Sequence, residues 1–404
     1  MMGQLMWDIL RHTAFRWLFI SSLISLVGSK IHRIALLFVA YQETQNAVWV
    51  SLILGAQFLA SAVLGPLLGP LADRYNRRTL MVLSDLARAL LVACIPLFAI
   101  ASMPLLMVIA FLMAVFESVH YSASNSAIPD MVPESALDGA NGLMTFVSRF
   151  ADVAFVALAG VLVANVGPAP AFWIDATSYL IAAVLLALLP PLPGKAGKSN
   201  YFAAVAEGLR PLWQNPTLSR TIGTLALAAA FGSVEAALGV VYAVGALKIG
   251  VQGFGVLEGL MAGGAILGLF VTMPLIKRLS RETVFLLGLG TWGLFLASTG
   301  LFPFPVWAGV AMVALGILNT MFIVPARSII QLAAPPELRG RIMAAFGATM
   351  QSAVLIGTFL AGVLEPRLGV LTVLYFSGIA VFLAVFTVFL WGGIPRLTSE
   401  ARPG

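Results

Sequence analysis

Apolar runs recur along this whole chain, each followed by a short polar interval, and about 20 apolar residues are what an α-helix needs to cross the ~30 Å hydrocarbon layer of a bilayer. We read twelve such spans, at 14–40, 46–71, 79–101, 103–127, 142–165 and 169–190, then at 217–245, 253–276, 283–301, 305–327, 341–364 and 368–393. Twelve helices and their loops use up the chain: 60% of its 404 residues are hydrophobic and only 10% are charged, so nothing is left for a sizeable soluble domain. The expected fold is an all-α membrane protein, twelve transmembrane helices in two pseudo-symmetric six-helix halves.

Charge fixes the expected orientation. Of the 23 Lys and Arg, Lys248 and Arg367 fall on the outer side, Lys30, Arg33, Arg88 and Arg149 fall within spans, and the other 17 lie on the cytosolic side. Short loops rich in Lys and Arg stay inside, which places both termini in the cytosol. This alternation also removes the nucleic-acid reading that a net charge of +6 would otherwise invite. The run that follows Arg11, His12 and Arg16 is too long for a cleaved signal core and reads as a first span. The single cysteine, Cys94, lies inside a span, so no intrachain disulfide can form.

The chain is doubled. A shift of 204 residues lays PLADRYNRRT (70–79) over PLIKRLSRET (274–283), matching Pro70 with Pro274, Leu71 with Leu275, Arg74 with Arg278, Arg77 with Arg281 and Thr79 with Thr283. Both copies sit between the second and third spans of their half, and duplicated halves around a central site mark secondary transporters. The expected division is a first half over 1–190, a cytosolic linker over 191–216 and a second half over 217–404. The linker contains PPLPGKAGKSN, and Tyr201 to Trp213 has apolar residues at helical spacing that suit a helix lying on the membrane surface. Ordinary inside-positive anchoring is the plainer account of each Arg cluster.

The stretch GPLADRYNRR resembles the signature loop of the major facilitator superfamily, with Gly69, Asp73, Arg74, Arg77 and Arg78 in the family's places and Asn76 where the family has glycine. The resemblance implies that this loop locks the cytosolic ends of the two halves in one access state, with Arg278 and Arg281 as its second-half counterpart. SDLAR (84–88), IPDMVPESALDGAN (128–141), PARSII (325–330) and PPELRGRI (335–342) are similar to the branch that holds macrolide-efflux proteins and the enterobactin exporter. VALAGVLV (156–163) has Gly160 but no proline, whereas antiporters of the superfamily often carry a Gly-Pro motif there.

Ionisable groups inside a span cost roughly 2.5 to 3.5 kcal/mol each on insertion scales, so each needs a partner or a wet cavity. Asp85 with Arg88, and Arg149 with Asp152, are three apart on one helix face and can neutralise each other. Lys30, His32 and Arg33 sit near the middle of the first span, and their candidate partners are Glu117, Asp152, Glu235, Asp175 and Glu258. Glu117, His120 and Tyr121, spaced i, i+3, i+4, offer a carboxylate, an imidazole and a phenol on one face of span four. Family resemblance places spans one, four, seven and ten around the cavity, where Lys30, Glu117, His120, Glu235 and Asn319 fall. The proton-coupling candidates are Glu117, Glu235 and Asp152, with Lys30 or Arg33 tuning them, and Lys30, His32, Arg33, His120, Tyr121 and Asn319 are the substrate candidates. A static ion-pair network that only holds the bundle together is the alternative.

No phosphate-cradling loop, metal-ligand cluster or nucleophile triad is apparent, so we expect neither an enzyme nor an ATP-driven pump, and neither cofactor nor metal. The expected function is proton-coupled export of an amphipathic small molecule such as a drug, macrolide-like compound or siderophore, by a monomer in a bacterial inner membrane. A lysophospholipid flippase or an uncoupled metabolite facilitator is the first alternative, suggested by the missing Gly-Pro motif. A membrane sensor or scaffold without flux is the second.

Overall fold

The computed structural model of the chain describes residues 9–64, 74–100, 102–194, 214–335 and 338–395, with isolated positions 68, 71, 206 and 207. Among the described residues there are twelve long helices: α1 (Thr13–Thr44), α2 (Ala47–Leu59), α3 (Arg77–Cys94), α4 (Met103–Ala127), α5 (Glu134–Val166), α6 (Pro168–Ala187), α7 (Pro216–Val240), α8 (Gly250–Arg278), α9 (Arg281–Leu301), α10 (Pro305–Ala333), α11 (Arg339–Leu368) and α12 (Val370–Leu390). Three continue into a π-turn, α2 through Leu64, α3 through Ala99 and α7 through Ala246. Eleven of these segments are long and apolar enough to cross a membrane, and α5 contributes the shorter apolar stretch Ala154–Val166.

Several helices outrun the expected spans. At about 1.5 Å per residue, the 32 residues of α1 measure about 48 Å, well beyond the hydrocarbon thickness. The reason is that hydropathy marks only the part of a helix that lies in hydrocarbon, whereas the backbone ladder continues into polar sequence until a cap stops it. α1 stops where Gln45 turns left-handed at φ 48° and returns its N–H to the Tyr41 carbonyl. Asn46 then starts α2, its side chain accepting from the Val48 N–H.

Caps carry the doubling into three dimensions. Asn76 begins α3 by accepting from the Arg78 N–H, and Ser280, 204 positions further on, begins α9 by accepting from the Thr283 N–H. Gly167 at φ 83° joins α5 to α6, and Gly369 at φ 77° joins α11 to α12. Both joints demand a positive φ that only glycine adopts cheaply.

The helices group into two compact units, one of Met1–Ser199 with Ile249–Gly259, the other of Asn200–Lys248 with Leu260–Gly404. In the first unit α1 packs on α5 and α6, and α3 on α4 and α6. In the second unit α7 packs on α11 and α12, and α9 on α10 and α12, so the same pairings recur with each helix replaced by the one six places on. Small residues set the close crossing of α8 on α10: a Cβ added at Gly264 would stand 2.2 Å from the Val313 carbonyl oxygen, and one at Gly268 would stand 2.7 Å from that of Ile317. At one end of the first unit Phe15, Leu18, Met81, Ala123, Ile128 and Leu186 form a dense apolar cluster. The expected surface helix over Tyr201–Trp213 lies outside the described residues except for Ala206 and Glu207, and Glu207 reaches the Arg341 guanidinium at 2.5 Å.

Candidate functional site

The first unit buries polar side chains from four helices. Asp85 and Arg88 stand one turn apart on α3 and meet in a direct ion pair through Asp85 Oδ1 and Arg88 Nη2, with Asp85 fully buried and Arg88 nearly so. His120 of α4 brings Nδ1 to 3.1 Å from the same Asp85 oxygen. The Arg88 guanidinium lies over the Tyr179 ring of α6, 4.3 Å from its centroid, and Nη1 reaches the Tyr179 hydroxyl at 3.5 Å. Ser29 of α1 spends its one hydrogen on the Ser25 carbonyl at 2.8 Å, so the Tyr179 hydroxyl is the donor in the 2.8 Å bond it shares with Ser29.

One turn back from Tyr179, Asp175 is fully buried, and its Oδ2 stands 3.4 Å from Nδ1 of His32 on α1. The two groups touch without the alignment of a hydrogen bond, and neither ring nitrogen of His32 has a hydrogen-bond partner among the described residues. The His32 ring meets Phe172 edge-on at 5.4 Å. Ser178 donates to the Asp175 carbonyl at 2.8 Å and lies 3.4 Å from its Oδ1. α1 can come this close to α6 only because residue 28 is glycine: a Cβ there would stand 2.1 Å from Ser178 Oγ and 2.6 Å from Asp175 Oδ1.

The remaining predicted residues are distributed as follows. Arg33 is half exposed and its Nη2 lies 3.9 Å from Glu258, so among the expected acids Glu258 stands nearest Arg33 and Asp175 stands beside His32. Lys30 is partly buried on α1. Glu117 is exposed on α4 but acts electrostatically on Arg88 and Asp175, while Tyr121 is 70% exposed. Of the three residues expected on one face of span four, only His120 turns into the cluster, because the i+3 and i+4 positions diverge enough for one to pack on α3 and the other to face outward. Asp152 and Arg149 have side chains outside the described residues, so their expected pairing does too. Glu235 is buried in α7 and Asn319 is partly buried on α10, both in the second unit.

In the signature-like loop, Gly69 and Asp73 lie outside the described residues and Arg74 is exposed. Arg77 is buried and bonds Asp130 at 2.5 Å, its backbone N–H reaching the Leu192 carbonyl at 2.8 Å, and Arg78 donates to the Leu189 carbonyl at 2.9 Å. The loop is thereby tied to the end of α4 and to the chain leaving α6. Arg278 and Arg281 are exposed at the junction of α8 and α9.

The sequence profile described as Major Facilitator Superfamily matches residues 18–273 and 220–403. The chain belongs to the major facilitator superfamily. It is a multi-pass membrane transporter rather than an enzyme. Among its relatives, macrolide efflux protein A of Streptococcus pyogenes is 25% identical over 360 residues, covering 86% of this chain and 88% of that one. The multidrug efflux pump Tap of Mycolicibacterium fortuitum is 26% identical over 390 residues, covering 92% and 93%. Solved structures with the same fold include the nucleoside transporter NupG, with TM-score 0.76 and 12% identity over 94% of this chain and 98% of that one. A bacterial homologue of the human lysosomal transporter Spinster matches with TM-score 0.73 and 15% identity over 95% and 97%.

Within this facilitator fold, Tyr179 and the placement of Asp175 at the centre of the cluster escaped the reading of the sequence. A signal was available: Asp175, Ser178 and Tyr179 repeat the i, i+3, i+4 spacing seen at Glu117, in a helix otherwise almost wholly apolar.

Proposed function

We propose that this transporter exports amphipathic small molecules from the cytosol of a bacterial cell, driven by protons moving inward. The relatives named for macrolide and multidrug efflux span nearly the whole chain and support the cargo class. The observation that carries proton coupling is the set of ionisable side chains buried within the helices of the first unit, Asp85, Arg88, Asp175 and His32, with the partly buried His120 beside them. Charges removed from water at this expense persist where they are used. In this reading Glu117, Glu235 and Asp152 exchange protons, Lys30 or Arg33 tunes them, and His32, His120, Tyr121 and Asn319 face the cargo path. The loop of Gly69, Asp73, Arg74, Arg77 and Arg78, with Arg278 and Arg281 opposite it in sequence, acts as the cytosolic gate of an alternating-access cycle. The protein works as a monomer in the inner membrane with both termini in the cytosol.

Proteoliposomes under an imposed pH gradient test the coupling, with Glu117→Gln and Glu235→Gln compared against wild type. Slower gradient-driven uptake in either variant is expected, and unchanged coupling in both removes the proton role of these two residues. The cargo is tested by susceptibility and accumulation across drugs, siderophores and lysolipids in cells lacking and overproducing the protein.

An apolar groove of about 650 Å³ on the first unit, walled by Phe150, Phe155, Trp173 and Ile174, favours a second reading in which the cargo is a lysophospholipid. A phenotype confined to lysolipids would select it.

A further inference from the structure

We propose that Asp175 and His32 form a one-proton site whose loading decides which acid holds Arg88. The proposal rests on the proton-coupled reading above and assigns that coupling to residues outside the set Glu117, Glu235 and Asp152.

Charge must balance among these buried side chains. Arg88 is the only permanent cation that the described contacts place in the cluster, and it is committed to Asp85, with Tyr179 stacked on its other face. That half of the cluster is neutral without a further proton. Asp175 has no such partner: the group that its Oδ2 touches is His32, whose charge depends on a proton. An ionised Asp175 beside a neutral imidazole would leave a net negative charge in a fully buried position, which burial strongly disfavours. One proton shared by the pair removes that charge, whether it sits on the carboxyl or on the ring. The unmatched atoms agree with a site built to gain and lose a proton, since Asp175 Oδ2 and both His32 nitrogens lack hydrogen-bond partners among the described residues.

Arg88 is the group able to respond. It acts electrostatically on Asp85 and on Asp175, and Tyr179, on which it lies, is one turn beyond Asp175 on α6. With the pair loaded, Arg88 rests on Asp85, as it does here. When the proton leaves, Asp175 becomes a second anion competing for the same guanidinium, and the α3 to α6 and α1 to α6 contacts change together. The other charged groups near the pair include Glu117 and His120 on α4, and on α1 the partly buried Lys30, two residues before His32, and Arg33, which lies 3.9 Å from Glu258. On α5 the side chains of Arg149 and Asp152 lie outside the described residues. The step is a proton transfer alone: a proton from water joins the pair or leaves it, and no other bond is made or broken.

The test uses the full chain in proteoliposomes and compares drug transport driven by a pH gradient with drug-for-drug exchange at equal pH, in wild type, Asp175→Asn and His32→Gln. We expect Asp175→Asn to keep exchange within about threefold of wild type, and both variants, each measured against its own exchange rate, to lose at least tenfold of the gradient-driven acceleration. Gradient response at the wild-type level in both variants overturns the assignment while leaving proton coupling in place. Wild type without any gradient response overturns the coupling reading itself. A readout free of the folding of variants is ¹⁵N-histidine NMR of wild type, simplified by there being three histidines, His12, His32 and His120. The His32 ring signal is expected to report gain and loss of a proton on addition of transported drug, and a His32 signal indifferent to drug and to pH overturns the proposal.

Discussion

Replacing Gly28 with alanine strikes the point where α1 lies on α6. The new Cβ would stand 2.1 Å from Ser178 Oγ, 2.6 Å from Asp175 Oδ1 and 2.9 Å from Ser178 Cβ, against an ordinary contact of 3.4 Å or more. Rotating the Ser178 hydroxyl away relieves the first clash but breaks its bond to the Asp175 carbonyl and leaves the other two. The helices must therefore part by about 0.5 to 0.8 Å, the shortfalls of 2.9 and 2.6 Å from 3.4 Å. Overpacking of this kind costs about 1–3 kcal/mol. At roughly 2–4 °C per kcal/mol for a unit of about 200 residues, the melting temperature should fall by roughly 2 to 12 °C. The same displacement lengthens the 3.4 Å contact of His32 with Asp175, so gradient-driven transport should fall more than exchange does. The assay is thermal unfolding of purified Gly28→Ala protein in detergent alongside Gly223→Ala, an exposed helical glycine in α7 with nothing within 4 Å of the added carbon. The control should be neutral or stabilised by up to about 1 kcal/mol. A Gly28→Ala protein as stable and as well coupled as wild type would refute the close α1 to α6 packing on which the site depends.

Arg88→Met leaves Asp85 buried without its cation and should cost about 3–5 kcal/mol, whereas combining it with Asp85→Leu should recover most of that stability, because no lone charge remains. A double-mutant cycle on melting temperature measures this, and additive losses would show that the pair is not coupled. Arg77→Gln should lower stability by about 1.5–3 kcal/mol by breaking a hydrogen bond between charged groups at 2.5 Å. Asp130→Asn should produce a similar loss, and the combined variant should add little to either.

The sequence marked polar residues one at a time and could not say which of them meet. Asp85 with Arg88 was visible as a local pair because both lie on one helix three residues apart. The contacts of Tyr179 were not, because its partners come from α1 and α3, 91 to 150 positions away in the chain, and Asp175 was one of five candidate acids for the first span until it stood 3.4 Å from His32. His120 was expected beside Tyr121 on a shared face, yet it alone turns inward onto Asp85 while Tyr121 faces out. The spacing i, i+3, i+4 defines an arc broad enough to straddle a packing boundary, and only the neighbouring helix decides where that boundary falls. Gly28 looked like any other glycine of a membrane span until Ser178 and Asp175 were found opposite it.

What the sequence determined by itself is the architecture: long apolar runs leave helices as the only way to satisfy a backbone in lipid, and the 204-residue repeat marks the second set as a copy of the first. Hydropathy and repetition are properties of a segment and need no knowledge of its neighbours. What only the tertiary structure decided is which ionisable groups are buried against one another, because the energy of a buried charge is set by atoms a few ångströms away that belong to other helices.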